Sequence, residues 1–292
     1  MADYEVSKIM WVAIVVALAA SIFVIAKPQI STLAGATFDN VENVVKGIDT
    51  GGSNDNNGGD ISKPGGINTV PGGGHTPESD VNKPGEPVET DPAKYVESGE
   101  TGFGTSDNGR WGIDSKGNMY IWSADDKPVT INVSGAGSGE FWNTRANQDD
   151  VKSITFATTT KVDTTDTKSL AAATFGNTKA SVINVASVDT TGVEDFNNTF
   201  ATNMNVEYID GIENWNTSSI LDVIDGGTTS GYNQMFSGVG PKLKSLSSLS
   251  SAWKPSAEAL KNSPDMFGGQ KYTELPSWAT DEQKAASQNS MW

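Results

Sequence analysis

Asn205-Val-Glu-Tyr-Ile-Asp-Gly-Ile-Glu-Asn-Trp-Asn-Thr-Ser-Ser-Ile220 is the stretch on which the reading of this chain turns. Its apolar residues Val206, Ile209, Ile212 and Trp215 recur at every third position. A plain strand repeats every two residues and a helix about every 3.6, so neither accounts for this spacing. A short strand that bends at a corner and runs on does, because each leg can point its apolar residues to the same side. The arrangement returns along the chain. Phe175 precedes Val182, Val185 and Val188, and Phe200 precedes the stretch quoted. Phe236 precedes Leu243, Leu246 and Leu249, with Trp253 one position late, and Phe267 precedes Tyr272, Leu275 and Trp278. The phenylalanines lie 25, 36 and 31 residues apart, a loose register around a recurring unit. One such unit has no second face to bury against, so each depends on its neighbours for a core.

Between the inward residues stand Glu207, Tyr208, Asp210, Glu213 and Asn214, which are expected to face outward as a candidate binding face. A solvated strand face is the plainer reading of the same residues. Trp215, Trp253 and Trp278 close the apolar runs, a place that suits core or corner residues better than sugar-stacking platforms.

The quoted stretch closely resembles the repeat of the BspA-like leucine-rich-repeat surface proteins. Their unit runs Leu/Ile-x-Gly-Leu-x-x-Trp-(Asp/Asn)-Thr-Ser-x-Val and is followed by a Met-Phe pair. Met235-Phe236 and Met266-Phe267 match that pair, and Val188-Asp-Thr-Thr-Gly-Val193 is a degenerate copy of the Trp-Asn-Thr-Ser segment. The third unit carries Lys254-Pro255-Ser256 instead, so the array is short with decayed ends. The resemblance spans about residues 110–278. It implies bacterial surface display, a role in adhesion to a protein or glycan ligand, and no catalytic residues. Family members often end in a Leu-Pro-x-Thr-Gly sorting signal, which Leu275-Pro276-Ser277-Trp278 is not.

Working outward, Trp111-Gly-Ile-Asp-Ser-Lys-Gly-Asn-Met-Tyr-Ile-Trp122 reads as a hairpin around Ser115–Asn118. Val129, Ile131 and Val133 read as a third strand, and Val151 to Phe156 as a fourth. At the other end, Thr280-Asp-Glu-Gln283 is a capping box that opens a short helix over the end of the array.

Composition removes several function classes. Twenty basic against thirty-six acidic residues, with only Arg110 and Arg145 as arginines, argue against a nucleic-acid partner. The chain has no cysteine, and its one histidine, His75, lies in a Gly/Pro-rich stretch where no rigid site is expected to hold it. Thiolate, Cys-zinc, His-triad and multi-His metal chemistry therefore fall away. Asp163/Asp166 and Asp222/Asp225 lack calcium-loop spacing and read as solvated turns. No pair of carboxylates stands in a recognisable hydrolase setting. The expectation is a non-enzymatic protein without cofactors.

The N-terminus adds an anchor. Ile9 to Ala26 is uncharged, and includes Ile9, Trp11, Ile14, Leu18, Phe23 and Ile25. Its helical length of about 27 Å suits a bilayer core of about 30 Å. The acidic start and the poor cleavage site at Ala26-Lys27 favour a retained helix over a signal peptide. From Ile30 to Ile48 the pattern turns amphipathic. This apolar-then-amphipathic organisation resembles the long helix of type IV pilin-like subunits, with Glu5 at the matching acidic position, although residues 1–8 are polar. Two expectations stand: a membrane anchor, or self-assembly through residues 1–48 into a pilus-like filament. Residues 49–98 hold six of the twelve prolines and few aliphatics (Ile61, Ile67, Val70, Val81 and Val88), which predicts a flexible, disordered stalk. The whole chain is thus expected to be mainly β, a short leucine-rich-repeat-type solenoid with a hairpin lead-in over 99–292. A long hydrophobic and amphipathic α-helix and the linker precede it.

Val16→Asp tests the anchor. An unpaired charge near mid-helix costs roughly 2.5–3.5 kcal/mol on insertion scales. Membrane association of the full chain should weaken in flotation assays while the distal fold keeps its melting temperature; undiminished flotation would overturn the anchor.

Overall fold

The computed structural model describes residues 68–288, except 73, 76–78, 104–107, 126, 132–144, 166–167, 171–173, 225–228, 240–242, 244–245, 270–271 and 273. The expected N-terminal helix, with Ile9 to Ile25 in it, and the first part of the expected linker lie outside these residues.

The described chain is mainly β. Its strands are β1 Glu97–Glu100, β2 Gly109–Ile113, β3 Asn118–Ser123, β4 Val129–Ile131, β5 Ser153–Phe156, β6 Thr160–Val162, β7 Val182–Asn184, β8 Val188–Asp189 and β9 Tyr208–Asp210. They form a six-stranded sheet in the order β1-β2-β3-β5-β7-β9 and a three-stranded sheet in the order β4-β6-β8. The first three strands are an antiparallel meander, and every later pairing in either sheet is parallel. The hairpin expected between Trp111 and Trp122 is β2–β3. Asp114 builds its turn by accepting the Lys116 and Asn118 amides at 2.9 Å each, and Gly117 supplies a φ of +87°.

Parallel pairing explains the three-residue spacing. β5 hands over to β6 and β7 to β8 across a few residues, so one unit serves both sheets and turns a corner between them. Ile154, Ile183 and Ile209 sit in register and point into the main core. Here the first unit departs from the sequence reading. Val182 aligns with Ser153 and Tyr208 on the outer row, and Ile183 takes the inward place expected for it. Two adjacent aliphatics leave the phase open, and register with Ile154 decides it.

The phenylalanines that mark the units stack. Ring centroids are 5.5 Å apart for Phe175–Phe200, 5.8 Å for Phe200–Phe236 and 5.7 Å for Phe236–Phe267, and all four side chains are fully buried. Backbone bonds hold the column. The Phe175 amide donates to Thr199 O at 2.9 Å, Phe200 to Met235 O at 3.0 Å, and Phe236 to Met266 O at 3.0 Å. Two residues after each ring the backbone turns left-handed, at Asn177, Thr202, Gly238 and Gly269. The three closing tryptophans are buried too, and each indole donates to a carbonyl of the preceding unit: Trp215 to Val185, Trp253 to Ile212, Trp278 to Leu249. They are core residues. Buried Asn203 bonds the Phe175 and Phe200 carbonyls and accepts from Thr178, which leaves its amide satisfied.

Past β9 the chain becomes more helical than the repeat suggests. Short helices run Leu249–Ala252 and Ala257–Lys261, the second N-capped by Ser256 in the Lys-Pro-Ser variant of the unit. The Thr280 capping box is present and starts the helix Asp281–Ala286. Its Gln283 is buried and donates to Ser263 O at 2.8 Å, closing that end of the core.

The expected stalk needs a correction over its second half. Val70, Val88 and Tyr95 are buried with Tyr120, Trp122 and Ala157 in a separate small core, with Val81 packed on it. β3 sends Met119 and Ile121 to the main core and Tyr120 and Trp122 to this one, so both its faces are covered. Three of the aliphatics judged too few for folding are the plugs of this cover. A Gly/Pro-rich segment that cannot build its own core can lean on a sheet face that needs one. Asn82 anchors it by donating to the Tyr95 hydroxyl at 3.0 Å, and that hydroxyl donates to Glu89 O at 2.5 Å.

Truncating the columns should expose their weight. Phe236→Ala and Trp215→Ala should each cost about 3–5 kcal/mol in chemical denaturation, as other buried aromatic truncations do. A variant that unfolds at the parent's midpoint would show that its ring is not part of the core.

Candidate functional site

The five residues proposed as an outward face do not form one open surface. Tyr208 and Asp210 stand on β9 and point to the same outer side. Their neighbour is His75 of the arm, the segment 68–98 that covers the outer face of β3. Its ring lies parallel to Tyr208, with centroids 3.6 Å apart and planes 3° apart. Asp210 accepts the His75 main-chain amide at 2.6 Å and faces its Nδ1 at 3.1 Å. Gly74 makes this approach possible, since a Cβ there would fall 2.4 Å from the Asp210 carboxylate. The histidine expected to lie in no fixed place is therefore held on the candidate face, over Tyr208 and Asp210. Glu213 and Asn214 remain exposed, on the 3-10 turn Ile212–Asn214 that follows Gly211. Glu207, partly buried, donates its amide to Ser181 O at 2.7 Å.

The larger concavity lies elsewhere, at the end of the β2–β3 hairpin. One lobe, of about 480 Å³, sits between the arm (Asn68, Thr90, Pro92), β1 (Ser98 to Glu100) and the Arg110–Trp111 and Trp122–Ala124 segments. A second, of about 720 Å³, shares Arg110 and Ala124 with it and extends to Lys127, Thr130 and Lys161. The two lobes of this groove have Arg110 and Ala124 as a common wall, and each is of the size that takes small ligands. Its carboxylates are engaged by the protein itself. Glu100 pairs with Arg110 at 3.3 Å. Asp125 accepts from Asn108 at 2.8 Å and Ser123 at 3.0 Å and pairs with Lys127 at 3.4 Å. The Asn108 bond above all, with Ser123 and Lys127, holds that carboxyl below the usual range. Lys161 is exposed on β6 beside its register partner Asp189 on β8, whose carboxyl the Thr191 hydrogen bonds, and then the Lys161 charge, hold below the usual range.

The other arginine is committed to structure. Arg145 forks onto Glu97 at 3.0 and 2.7 Å and onto Asp150 at 3.0 and 2.9 Å, with its guanidinium 5.5 Å from the Trp111 ring centre. Asp163 caps its own turn through Thr165, and Asp222 accepts from Ser256 at 2.6 Å, so both carboxylates act locally. Among the described residues no group of three or more acidic or histidine side chains could hold a metal. Burial pushes the Tyr120 phenol up to about 12 and Tyr95 higher still, so near neutrality both are protonated hydrogen-bond donors. The groove lining thus mixes hydrogen-bond donors and acceptors.

Sequence reasoning singled out β9 and passed over this groove. Its walls come from segments between residues 68 and 161 that share no motif, and only the fold gathers them. No family model matches the chain, and no curated protein or solved structure matches it.

Because His75 is the chain's one histidine, its imidazole protons can be followed without ambiguity. They should be shifted upfield by the Tyr208 ring and return to ordinary values in Tyr208→Leu. Unshifted resonances in the parent protein would mean that the arm does not dock there.

Proposed function

We propose that this chain is a non-enzymatic bacterial surface protein, in which a repeat-built domain of the BspA-like leucine-rich-repeat type is displayed for adhesion or partner binding and an N-terminal hydrophobic helix holds it at the cell. One observation carries the reading. The units recognised in sequence occupy equivalent places in space, with Phe175, Phe200, Phe236 and Phe267 in one column and a left-handed corner two residues after each. Such repetition supports a solenoid, and solenoids present extended, rigid surfaces suited to binding. The net charge of −16 favours solubility for a domain held out from a surface.

The test is display on intact cells. Antibody raised against residues 68–292 should label unpermeabilised cells of the source organism, and external protease should remove the label. Labelling seen only after permeabilisation would overturn the proposal.

A further inference from the structure

We infer that the hollow lined by Asn147, Asn177 and Asn205 is a binding site for a short chain of β-linked N-acetylhexosamines. This rests on the reading of the chain as a binding protein and names its ligand class. The hollow encloses about 390 Å³. Each asparagine leads into a different strand, Asn147 into β5, Asn177 into β7 and Asn205 into β9. Those strands are successive parallel neighbours, so each of three adjacent coils brings one carboxamide to the same hollow.

Spacing selects among polymers. Neighbouring strands lie about 4.8 Å apart, and the coils that carry them repeat at that distance. An extended peptide laid across the coils advances about 3.3 Å per residue and shows the same face every second residue, out of step with them. An extended β-linked hexose chain advances by nearly one such spacing per sugar, so each ring meets one carboxamide.

Hydrogen-bonding chemistry selects the sugar. Asn177 spends its Oδ1 on the Thr202 hydroxyl at 2.6 Å, which leaves its amino group to donate. Asn147 has its Oδ1 buried without a donor, so its amino group too is the end left for a ligand. Lys179, exposed and lining the same hollow, donates as well. Such a set calls for acceptors that need not also donate. The hydroxyls of a plain hexose do both, whereas an acetamido carbonyl only accepts. A carboxylate also only accepts, but amide donors return less of the cost of desolvating a charge than of desolvating a neutral carbonyl. Asn205 brings an acceptor besides its donors, which suits the acetamido N–H. Met204, 44% exposed, lines the hollow too and offers the acetamido methyls a pliant apolar partner.

The experiment is calorimetric titration of the full-length protein in detergent with triacetylchitotriose, with cellotriose (the same linkage with a hydroxyl in place of each acetamido group), with monomeric N-acetylglucosamine and with trigalacturonate. Triacetylchitotriose should bind, and each of the other three should bind at least about tenfold more weakly. Asn177→Gly keeps the left-handed backbone at φ +58° and removes the amide, so it should weaken triacetylchitotriose about tenfold without lowering the melting temperature. Asn205→Ala should weaken it to a similar extent. Absence of binding, equal affinity for cellotriose, or unchanged affinity in either variant would overturn the inference. Equal affinity for the monomer would overturn the match of one sugar to each coil, and tighter binding of trigalacturonate would overturn the acetamido assignment. Surface labelling without binding of triacetylchitotriose defeats this site alone, and binding without surface labelling defeats display alone.

Discussion

The stacking of Phe236 between Phe200 and Phe267, at centroid distances of 5.8 and 5.7 Å, is the contact on which the distal half of the fold depends. β9 ends at Asp210, and no later strand pairs with it among the described residues. Beyond it the units are joined by these rings, by indole-to-carbonyl bonds and by backbone bonds at alternate residues, as where the Phe196, Asn198, Phe200 and Thr202 amides donate to the Gly231, Asn233, Met235 and Ser237 carbonyls. Aromatic side chains suit the task, because each buries a large area while fixing few torsions. The distances between phenylalanines vary from 25 to 36 residues, so the intervening segments change length while the ring keeps its place. A column of this kind tolerates insertions that a continuous ladder of strands would not.

That tolerance explains what was legible in the sequence. The Phe-led units, the inward run of Val206, Ile209, Ile212 and Trp215, the β2–β3 hairpin and the Thr280 cap each carry a local signal, and each is present. Val182 was misplaced because Ser181-Val182-Ile183-Asn184-Val185 offers two phases, and only pairing with Ser153 and Ile154 chooses between them. Leu249 is inward, as the three-residue spacing predicts, yet it also opens a helix. Tertiary packing fixes the burial of such a residue more firmly than its secondary structure.

The arm departs from its composition for a different physical reason. Composition tests whether a segment can fold by itself, and Val70, Val81 and Val88 could not sustain a core. They do not have to, because Tyr120 and Trp122 present an aromatic face that would otherwise meet water. A hairpin with large apolar residues on both sides of one strand is itself a sign that something must cover it, as β3 shows with all six residues buried. The sequence holds that clue at Met119-Tyr-Ile-Trp122, and it concerns the arm as much as the hairpin.

The same dependence joins folding to the candidate site. Asn68, Thr90 and Pro92 of the arm form one wall of the groove, so the groove exists only while the arm is docked. Asn68 serves both ends. Its amide donates to Ser123 O at 3.3 Å and accepts from Thr158 at 2.8 Å, tying the arm to the β3 end and to the turn after β5. His75 fixes the arm at a separate point, on β9. A Gly/Pro-rich segment pinned at separated points loses chain entropy mainly when the first contact forms, and later contacts form within an already shortened loop. Any change that loosens the arm at Tyr95 or His75 therefore weakens the groove without touching a residue that lines it.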